Sequence, residues 1–344
     1  MVLDRKPKQP ISIYQSRLIC CHLRKMNKAL ILFILLMQTI TMARSFAKEA
    51  PDTVYTGIYF TSIHDIDFRQ KEYTANLWLW LKYKNKDFDF LQNLEVPMAK
   101  TTVKSYSTID STDGLIYILM KLQCVMKDSW KVNNFPFDQQ KLQFSIENSQ
   151  YDSGSLVFKA DTEGKHFDPR FTLNGWMIDS FTIATKTKAY ETNFGDEELD
   201  KPHSEYSAFR VNIVIQREAM GLFWKMFLGM YVSFLIAFIG FYIHPESVES
   251  RFGLGVGSVF AVVGNKYIID SALPESSSFT LVDSLHGLTL ICIFVVIVSA
   301  VYSLNLIKKG KQKESKRLDR RVSNVLLVGY LVLNIWFIWQ AATL

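Results

Sequence analysis

Four long apolar runs in the last third of the chain constrain its fold more than any other feature. They cover residues 222–243, 252–273, 285–307 and 322–344. Each run has about 20 residues or more, enough for a helix to cross a hydrocarbon core of about 30 Å. The segment before them is polar and alternates like β-structure. This order predicts an all-β extracellular sandwich followed by an all-α domain of four transmembrane helices, residues 218–344.

The polar segment, residues 48–217, is predicted to form the β-sandwich. Residues 73–83 alternate as strands do, and Asp113-Gly114 and Asn174-Gly175 favour tight turns. No long amphipathic helix separates these patterns, which argues against an α/β enzyme domain. No nucleophile, nucleotide-loop or metal-ligand motif occurs in the segment. We therefore expect a binding module without a cofactor rather than an enzyme.

The N-terminal segment, residues 1–47, has the pattern of a secretory signal peptide. Basic residues precede a short apolar stretch, residues 29–37, and a small-x-small cleavage pattern ends at Ala47. An uncleaved anchor is the alternative interpretation. A signal of more ordinary length would begin at Met26, which is a second possible start.

Charge predicts how the four runs cross the membrane. The linker between the third and fourth runs, residues 308–321, contains eight Lys or Arg, and such segments favour the cytoplasmic side. A cleaved signal leads to the same orientation, with the β domain extracellular or periplasmic. We expect a multi-pass protein of the plasma (inner) membrane. Because much of the net charge of +6 lies in short flanking segments, it does not indicate nucleic acid.

The second apolar run differs from the others because glycines and charged side chains interrupt it. Such a helix is a poor solitary span in lipid, but it is tolerated beside protein or a water-filled lumen. Helical spacing places one stripe of residues along the run: Gly253, Gly257, Phe260, Gly264 and Tyr267. Two interpretations stay open, since these glycines fit either close helix packing or the lining of a pore.

Short motifs are spread over most of the chain after the signal. They are Phe135-Pro136-Phe137-Asp138 followed by Gln140, Asn76-x-Trp78, Tyr151-Asp152, Asn174-Gly175-Trp176, Arg217 before the first run, and Arg251 and Leu273-Pro274 on either side of the second. On these motifs the chain resembles the pentameric ligand-gated ion channels of the Cys-loop receptor superfamily, and most of all the prokaryotic branch. The two cysteines of the family's signature loop would fall at Asp128 and Leu142, so that disulfide is not expected here.

The resemblance implies a homopentamer in which the second helix of each subunit lines a central pore. The expected pore-lining residues are Gly253, Gly257, Phe260, Gly264, Tyr267 and Ile268. Five Phe260 rings would form a hydrophobic constriction that closes by dewetting. The alternative position of the gate is nearer the outer end, at Tyr267 or Ile268.

Ion selection is expected at the inner mouth of this pore, at Glu249 and Arg251. A ring of five carboxylates attracts cations, so we expect a cation channel. Arg251 would oppose that field, and an Arg at its position also occurs in anion-conducting relatives, so an anion channel is an alternative. A non-conducting receptor that relays ligand binding to a partner is another.

The resemblance also implies where binding is coupled to the pore. The residues expected at this junction are Phe135, Pro136, Phe137, Asp138, Arg217 and Pro274. Asp138 and Arg217 are expected to form a partly buried ion pair. Phe135 or Pro136 is expected to touch the connection between the second and third helices, residues 274–279.

In the family, agonists bind between subunits in a box of aromatic side chains, where an amine can lie over ring faces. By motif matching, Tyr151 belongs to one wall of this box, and Tyr190, Phe194 and Tyr206 flank the hairpin that caps it. Tyr83 is expected from the neighbouring subunit. Ser149 replaces a Trp that is common there, so one wall of the box is expected to be missing.

Protonation or a divalent cation is the alternative trigger, and no metal site can be assigned from the sequence. The candidate groups are His64, His166, His203, His244, His286, Asp196, Glu197, Glu198 and Asp200. The expected partners are therefore identical subunits, membrane lipid, permeant inorganic ions and one small-molecule, proton or divalent-cation effector.

Overall fold

The computed structural model describes residues 50–170, 173–195 and 202–343. The predicted signal peptide and the acidic residues 196–200 lie outside the described residues. What is described is a two-sheet β domain followed by four long helices. The predicted fold class is confirmed in both halves.

Nine strands build the described part of the β domain. Their bounds are β1 Asp52–Asp67, β2 Glu72–Tyr83, β3 Leu94–Glu95, β4 Ala99–Thr112, β5 Leu115–Lys127, β6 Gln139–Asn148, β7 Leu156–Ala160, β8 Trp176–Tyr190 and β9 Ser204–Arg217. One sheet has the order β4-β5-β2-β1-β7 and the other the order β3-β6-β9-β8. All pairings are antiparallel except that of β1 with β7.

Alternating apolar side chains hold the two sheets together. Leu77, Leu79 and Leu81 on β2 are fully buried, as the alternation of residues 73–83 predicts. The ring of Phe60 on β1 meets that of Phe144 on β6 edge-on, with 5.7 Å between centroids. Such aromatic contacts between layers add to simple area burial. A disulfide is absent from the described part of the chain, where both cysteines are free.

The two predicted turns lie where backbone geometry requires them. Asp113 and Gly114 join β4 to β5, and both have positive φ, 54° and 74°. Two central residues with positive φ match the right-handed twist of a two-residue hairpin. Gly175, with φ 77°, directly precedes β8.

Four long helices follow the sheets. They are α1 Ala219–Ile239, which continues as a 3₁₀ turn Gly240–Tyr242, α2 Val248–Ala272, α3 Leu281–Lys308 and α4 Gln312–Thr343. All four are long and apolar enough to cross a membrane. Thr280 and Asp283 form a capping box at the start of α3. Gly310, with φ 77°, ends α3, so the predicted linker 308–321 is already helical from Gln312 onward.

One glycine of α2 is required by helix packing. A Cβ atom on Gly255 would lie 2.7 Å from Cγ1 of Ile297 on α3, whereas Gly253, Gly257 and Gly264 have no heavy atom within 4 Å of such a position. Close packing between α2 and α3 therefore occurs at Gly255. The stripe that begins with Gly253 and Gly257 packs against no helix of the same chain.

We expect Gly255→Ala to lower the thermal unfolding midpoint of the purified protein in detergent. Overpacking a close helix contact costs about 1–3 kcal/mol, which exceeds the gain of about 1 kcal/mol from replacing a helical glycine by alanine. Gly253→Ala, two residues away on the same helix, is the matched control and should leave the midpoint unchanged or raise it. Equal midpoints for the two variants would contradict this account of the α2–α3 contact.

Candidate functional site

A buried ion pair lies at the end of the β domain nearest the helices. Asp138 precedes β6 and Arg217 ends β9, and the antiparallel pairing of these strands brings the two residues side by side. Arg217 Nε donates to Asp138 Oδ1 at 2.7 Å, and Arg217 Nη2 donates to Oδ2 at 3.2 Å. The two side chains are 11% and 2% exposed. Two parallel hydrogen bonds between a guanidinium and a carboxylate fix both distance and orientation.

Aromatic rings surround the guanidinium of this pair. Its central carbon lies 4.0 Å from the ring centroid of Trp176, 4.8 Å from that of Phe68 and 4.9 Å from that of Phe135. Gln140 Nε2 donates to Asp138 Oδ2 at 2.7 Å. Both charged groups are shielded from water. A hydrogen bond from Gln140 and cation–π contacts with the three aromatic rings compensate for the lost hydration.

The loop that contains Asp138 also contacts two of the helices. The ring of Phe137 lies 5.6 Å from that of Phe223 on α1. The amide of Leu281, the first residue of α3, donates to the carbonyl of Asn133 at 2.8 Å. One short loop thus joins the ion pair to the starts of α1 and α3.

The loop before β6 also lies near the connection between α2 and α3. Pro274 lines a cavity of about 360 Å³ together with Val132, an earlier residue of the loop. Phe135 and Pro136, which were expected to touch this connection, are both buried, and the ring of Phe135 lies against the guanidinium of Arg217. The contact of Phe135 or Pro136 with residues 274–279 stays a prediction.

Three of the predicted ligand residues form one aromatic cluster, at the end of β8 and the start of β9. The ring centroids of Tyr190, Phe194 and Tyr206 are 5.5, 5.9 and 6.1 Å apart, and all three pairs meet edge-on. These rings line a cavity of about 330 Å³. Its other lining residues are Glu95, Glu147, Asn148 and Ser149.

A buried carboxylate lies against this cluster. Glu147 is 4% exposed, and the hydroxyl of Tyr190 donates to its Oε2 at 2.7 Å. Burial raises the pKa of Glu147 above its ordinary value, and the nearby Glu95 raises it further, while Tyr190, Arg210 and Lys188 act in the opposite direction. Burial and the Glu147 carboxylate also raise the pKa of the Tyr190 hydroxyl, so that hydroxyl stays a donor.

Tyr83 and Tyr151, the other two predicted ligand residues, pack elsewhere. Tyr83 is buried and donates to the carbonyl of Phe88 at 3.0 Å. Tyr151 donates to the carbonyl of Asp87 at 3.0 Å, and its ring lies 4.7 Å from that of Phe88. Neither residue lines the aromatic cavity. Backbone carbonyls satisfy both hydroxyls, which makes these side chains part of the packing around Phe88.

One face of α2 packs against no other element among the described residues. Phe260, Tyr267 and Ile268 are 72%, 76% and 67% exposed. Gly253, Gly257 and Gly264 are exposed on the same face. The opposite face is buried and is formed by Arg251, Gly255, Ser258, Val262 and Ile269. The six predicted pore-lining residues therefore share one open face.

Glu249 and Arg251 point in different directions at the start of α2. Glu249 is exposed in the first turn. Arg251 is buried, donates to Asp319 Oδ2 on α4 at 2.8 Å, and donates through Nε to the carbonyl of Ile243 at 2.9 Å. Its charge is compensated inside the subunit. Arg251 was expected to offset the negative charge of Glu249. Because Asp319 already compensates its positive charge, this effect should be smaller than expected.

The residues suggested as alternative triggers are dispersed. His64 pairs with Asp65, and His203 with Glu205, both at the surface. His286 is fully buried and bonds to Asn265 at 3.0 Å. Over residues 50–170, 173–195 and 202–343, no group of three or more His, Cys, Asp or Glu is placed to hold a metal ion.

Comparison with known proteins identifies the family. Residues 89–219 match the family model described as neurotransmitter-gated ion-channel ligand binding domain. The chain is also 21% identical over 309 residues to the proton-gated ion channel of Gloeobacter violaceus, which covers 83% of this chain and 82% of that protein. Residues 89–219 therefore form a domain of the neurotransmitter-gated ion-channel type, and the chain is similar over most of its length to the pentameric ligand-gated ion channels of the Cys-loop superfamily.

Animal members of the superfamily match over a smaller share of their length. A gamma-aminobutyric acid receptor subunit beta of Caenorhabditis elegans is 22% identical over 276 residues, or 70% of this chain. An acetylcholine-gated chloride channel subunit of the same organism is 21% identical over 214 residues, or 61% of this chain. The chain spans 46% of the length of each of these two relatives. The four long helices fit a multi-pass membrane protein.

Three residues of these sites were not predicted from the sequence. Glu147 stands at an outward position of the β6 alternation, so its burial beneath Tyr190 has no sequence signal. Asn133 acts through its backbone carbonyl, which any residue supplies. Asp319 did carry a signal, since it is one of two acidic residues in the basic segment 308–321.

We expect Arg217→Ala to lower the stability of the assembled channel by about 3–5 kcal/mol, because it leaves the buried Asp138 carboxylate without its counter-charge. Thermal unfolding and size-exclusion chromatography of the purified protein measure this. Glu314→Gln is the control, since the exposed pair of Glu314 with Lys311 should contribute about 1 kcal/mol or less.

Asp138→Asn tests the same pair from the other side with little change in side-chain size. If this variant assembled normally and opened at an unchanged ligand concentration, the coupling role of Asp138 and Arg217 would be excluded.

Proposed function

We propose that this protein is a cation-selective channel, gated by a small cationic ligand that binds in the cavity of Tyr190, Phe194 and Tyr206. The observation that carries the proposal is the combination of three aromatic rings with the buried Glu147 around one cavity of about 330 Å³. The volume is at the lower end of the range for ligand pockets, which suits a small molecule.

The chemistry of the cavity favours a positive charge. Each ring face contributes about 0.5–2 kcal/mol to binding of a cation. The Nζ atom of Lys188 lies 5.5 Å from the ring centroid of Tyr190, so this ring already has a cation near its face. Glu147 and Glu95 add carboxylates to the lining. An alkylammonium ion fits both features.

A proton is the second candidate effector, and a specific observation favours it. Glu147 is a buried carboxylate whose pKa is raised chiefly by burial, and protonation would remove its negative charge from the lining of the cavity. The relative from Gloeobacter violaceus is named a proton-gated ion channel. Amine and proton would then compete for one carboxylate, with opposite dependence on pH.

Glu147→Gln separates these effectors. Because the folded pKa of Glu147 is raised, the carboxylate ionises only as pH rises through a window that begins near the ordinary value of 4.5. In the wild type, the concentration of butylammonium that gives half-maximal current should therefore fall as pH rises through this window, and Glu147→Gln should abolish that change. Current through reconstituted liposomes is the measurement, and Glu163→Gln, an exposed carboxylate of the same domain, is the control.

The other outcomes of this experiment are also informative. Current that appears on acidification without amine, and shifts its pH dependence in Glu147→Gln, would establish the proton as the effector. If this variant responded to both amine and pH as the wild type does, the cavity would have no role in gating.

We further propose that the open face of α2 from each of five identical subunits lines the pore. The exposed glycines leave Phe260 as the bulky residue at mid-helix, which suits a hydrophobic gate, and Tyr267 and Ile268 are the alternative constriction toward the other end. We also propose a plasma or bacterial inner membrane location, with the basic segment 308–321 on the cytoplasmic side.

Cation selectivity follows from the charges at the start of α2. The exposed Glu249 would form a ring of five carboxylates, while Arg251 is held by Asp319 inside the subunit. An uncompensated ring of this kind concentrates cations. An anion-selective channel and a non-conducting receptor remain the alternatives to be tested.

Glu249→Ala should shift the reversal potential toward zero under a potassium chloride gradient, because it removes the field that favours cations at the pore mouth. Bilayer recording of the wild type and the variant measures the shift. Glu314→Ala removes an exposed carboxylate from α4 and should leave the potential unchanged. A wild-type reversal potential of anion sign would overturn the assignment, and an absence of current at all pH values and amine concentrations would favour the non-conducting receptor.

A further inference from the structure

We propose that the aromatic cavity binds a short aliphatic diamine in its dicationic form, with one ammonium group at Glu147 and the other at Glu95. Both carboxylates line the same cavity of about 330 Å³. The proposed function already assigns a small cation to this cavity, so the diamine rests on that assignment. It adds a second point of recognition, at which the number of charges on the ligand is read.

The two carboxylates occupy directly opposed positions on neighbouring strands. The short strand β3 pairs antiparallel with β6, and Glu95 is the partner of Glu147 in this pairing. Opposed side chains in such a pair have Cβ atoms about 4.5–5.5 Å apart, and like charges there are destabilising. Burial raises the pKa of Glu147 most, and the charge of Glu95 raises it further. Positive charge brought to both carboxylates by a ligand removes this repulsion.

Direct contacts with basic side chains do not supply that positive charge. Among the described residues, neither Glu95 nor Glu147 forms an ion pair. Lys188 and Arg210 act on Glu147 only through their more distant charge, and neither of them lines the cavity.

One oxygen of the buried carboxylate is free to accept a hydrogen bond. Glu147 is 4% exposed, and its Oε2 accepts from the hydroxyl of Tyr190 at 2.7 Å. Within the part of the chain that the structure describes, its Oε1 accepts none. A carboxylate withdrawn from water favours a partner that donates to it. An ammonium group in the cavity is such a donor.

The rest of the lining suits the hydrocarbon part of a diamine. The rings of Tyr190, Phe194 and Tyr206 lie 5.5–6.1 Å apart and offer apolar surface to a chain of methylene groups. A divalent metal ion fits this lining less well, because Ca²⁺ requires about six to eight oxygen ligands. No group of three or more His, Cys, Asp or Glu is placed to hold a metal ion among the described residues. The cavity therefore favours an organic dication.

Isothermal titration calorimetry of the purified, assembled protein in detergent tests this with matched amines. Butylammonium and the dication of 1,4-diaminobutane have the same carbon chain and differ in one charged group. At about pH 8 both amines are protonated. The diamine should bind the wild type about fivefold more tightly, which is the scale of one ion pair with an exposed carboxylate such as Glu95.

The amine 4-amino-1-butanol separates charge from hydrogen bonding. Its far end has a hydroxyl group in place of the second ammonium, so it should bind as butylammonium does. If it bound as tightly as the diamine, a hydrogen bond alone would account for the preference, and the assignment of a dication would be wrong.

Glu95→Gln locates the second ammonium group. The variant should bring the dissociation constants of the diamine and butylammonium to within about twofold of each other, because the carboxylate that distinguishes them is lost. Glu163→Gln removes another exposed carboxylate, outside the cavity, and should keep the wild-type preference for the diamine. Elution volumes in size-exclusion chromatography show that each variant is assembled. The same preference in the wild type and in Glu95→Gln would overturn the proposal.

The remaining outcomes separate this proposal from the proposed function. Equal binding of butylammonium and the diamine to the wild type would exclude a dication site and leave a site for a single positive charge intact. An absence of binding by either amine would overturn both.

Discussion

The bidentate pair of Asp138 and Arg217 is the interaction on which the junction of the two halves depends. It joins the ends of β6 and β9, and the aromatic rings around it exclude water from both charges. A pair in such surroundings is stable only while both partners and their hydrogen bonds are present. Phe137 contacts α1 and Asn133 contacts α3 from the same loop as Asp138. The position of both contacts therefore depends on this one buried ion pair.

The second helix shows how one sequence serves two environments. Its buried face contains Arg251 and the close contact at Gly255, which anchor it to α4 and α3. Its other face contains bulky Phe260 and Tyr267 together with glycines that no neighbour in the chain requires. Packing against α3 and α4 explains the residues of the first face. No packing among the described residues explains those of the second.

Much of this architecture could be predicted from the sequence. Apolar length predicts the four helices, alternation predicts β2, and Asp113-Gly114 predicts the hairpin, because each depends on local geometry. The pairing of Asp138 with Arg217 followed only from the family resemblance, because the two residues are far apart in the chain.

Side-chain packing decides the remaining features. Tyr83 is buried and donates to the carbonyl of Phe88, only five residues away, a contact that the alternation of β2 does not predict. Glu147 accepts a hydrogen bond from Tyr190, 43 residues away. That contact depends on tertiary packing and leaves no pattern in the local sequence.

The continuity of β9 with α1 has a mechanical consequence. Tyr206 lies near the start of β9 and Arg217 at its end, so at about 3.3 Å per residue the strand spans about 36 Å. Only Glu218 separates Arg217 from Ala219, the first residue of α1. One residue can extend by no more than about 3.6 Å, so this joint has almost no slack. A longitudinal displacement of β9 would therefore act directly on the first residue of α1, without a flexible linker between them.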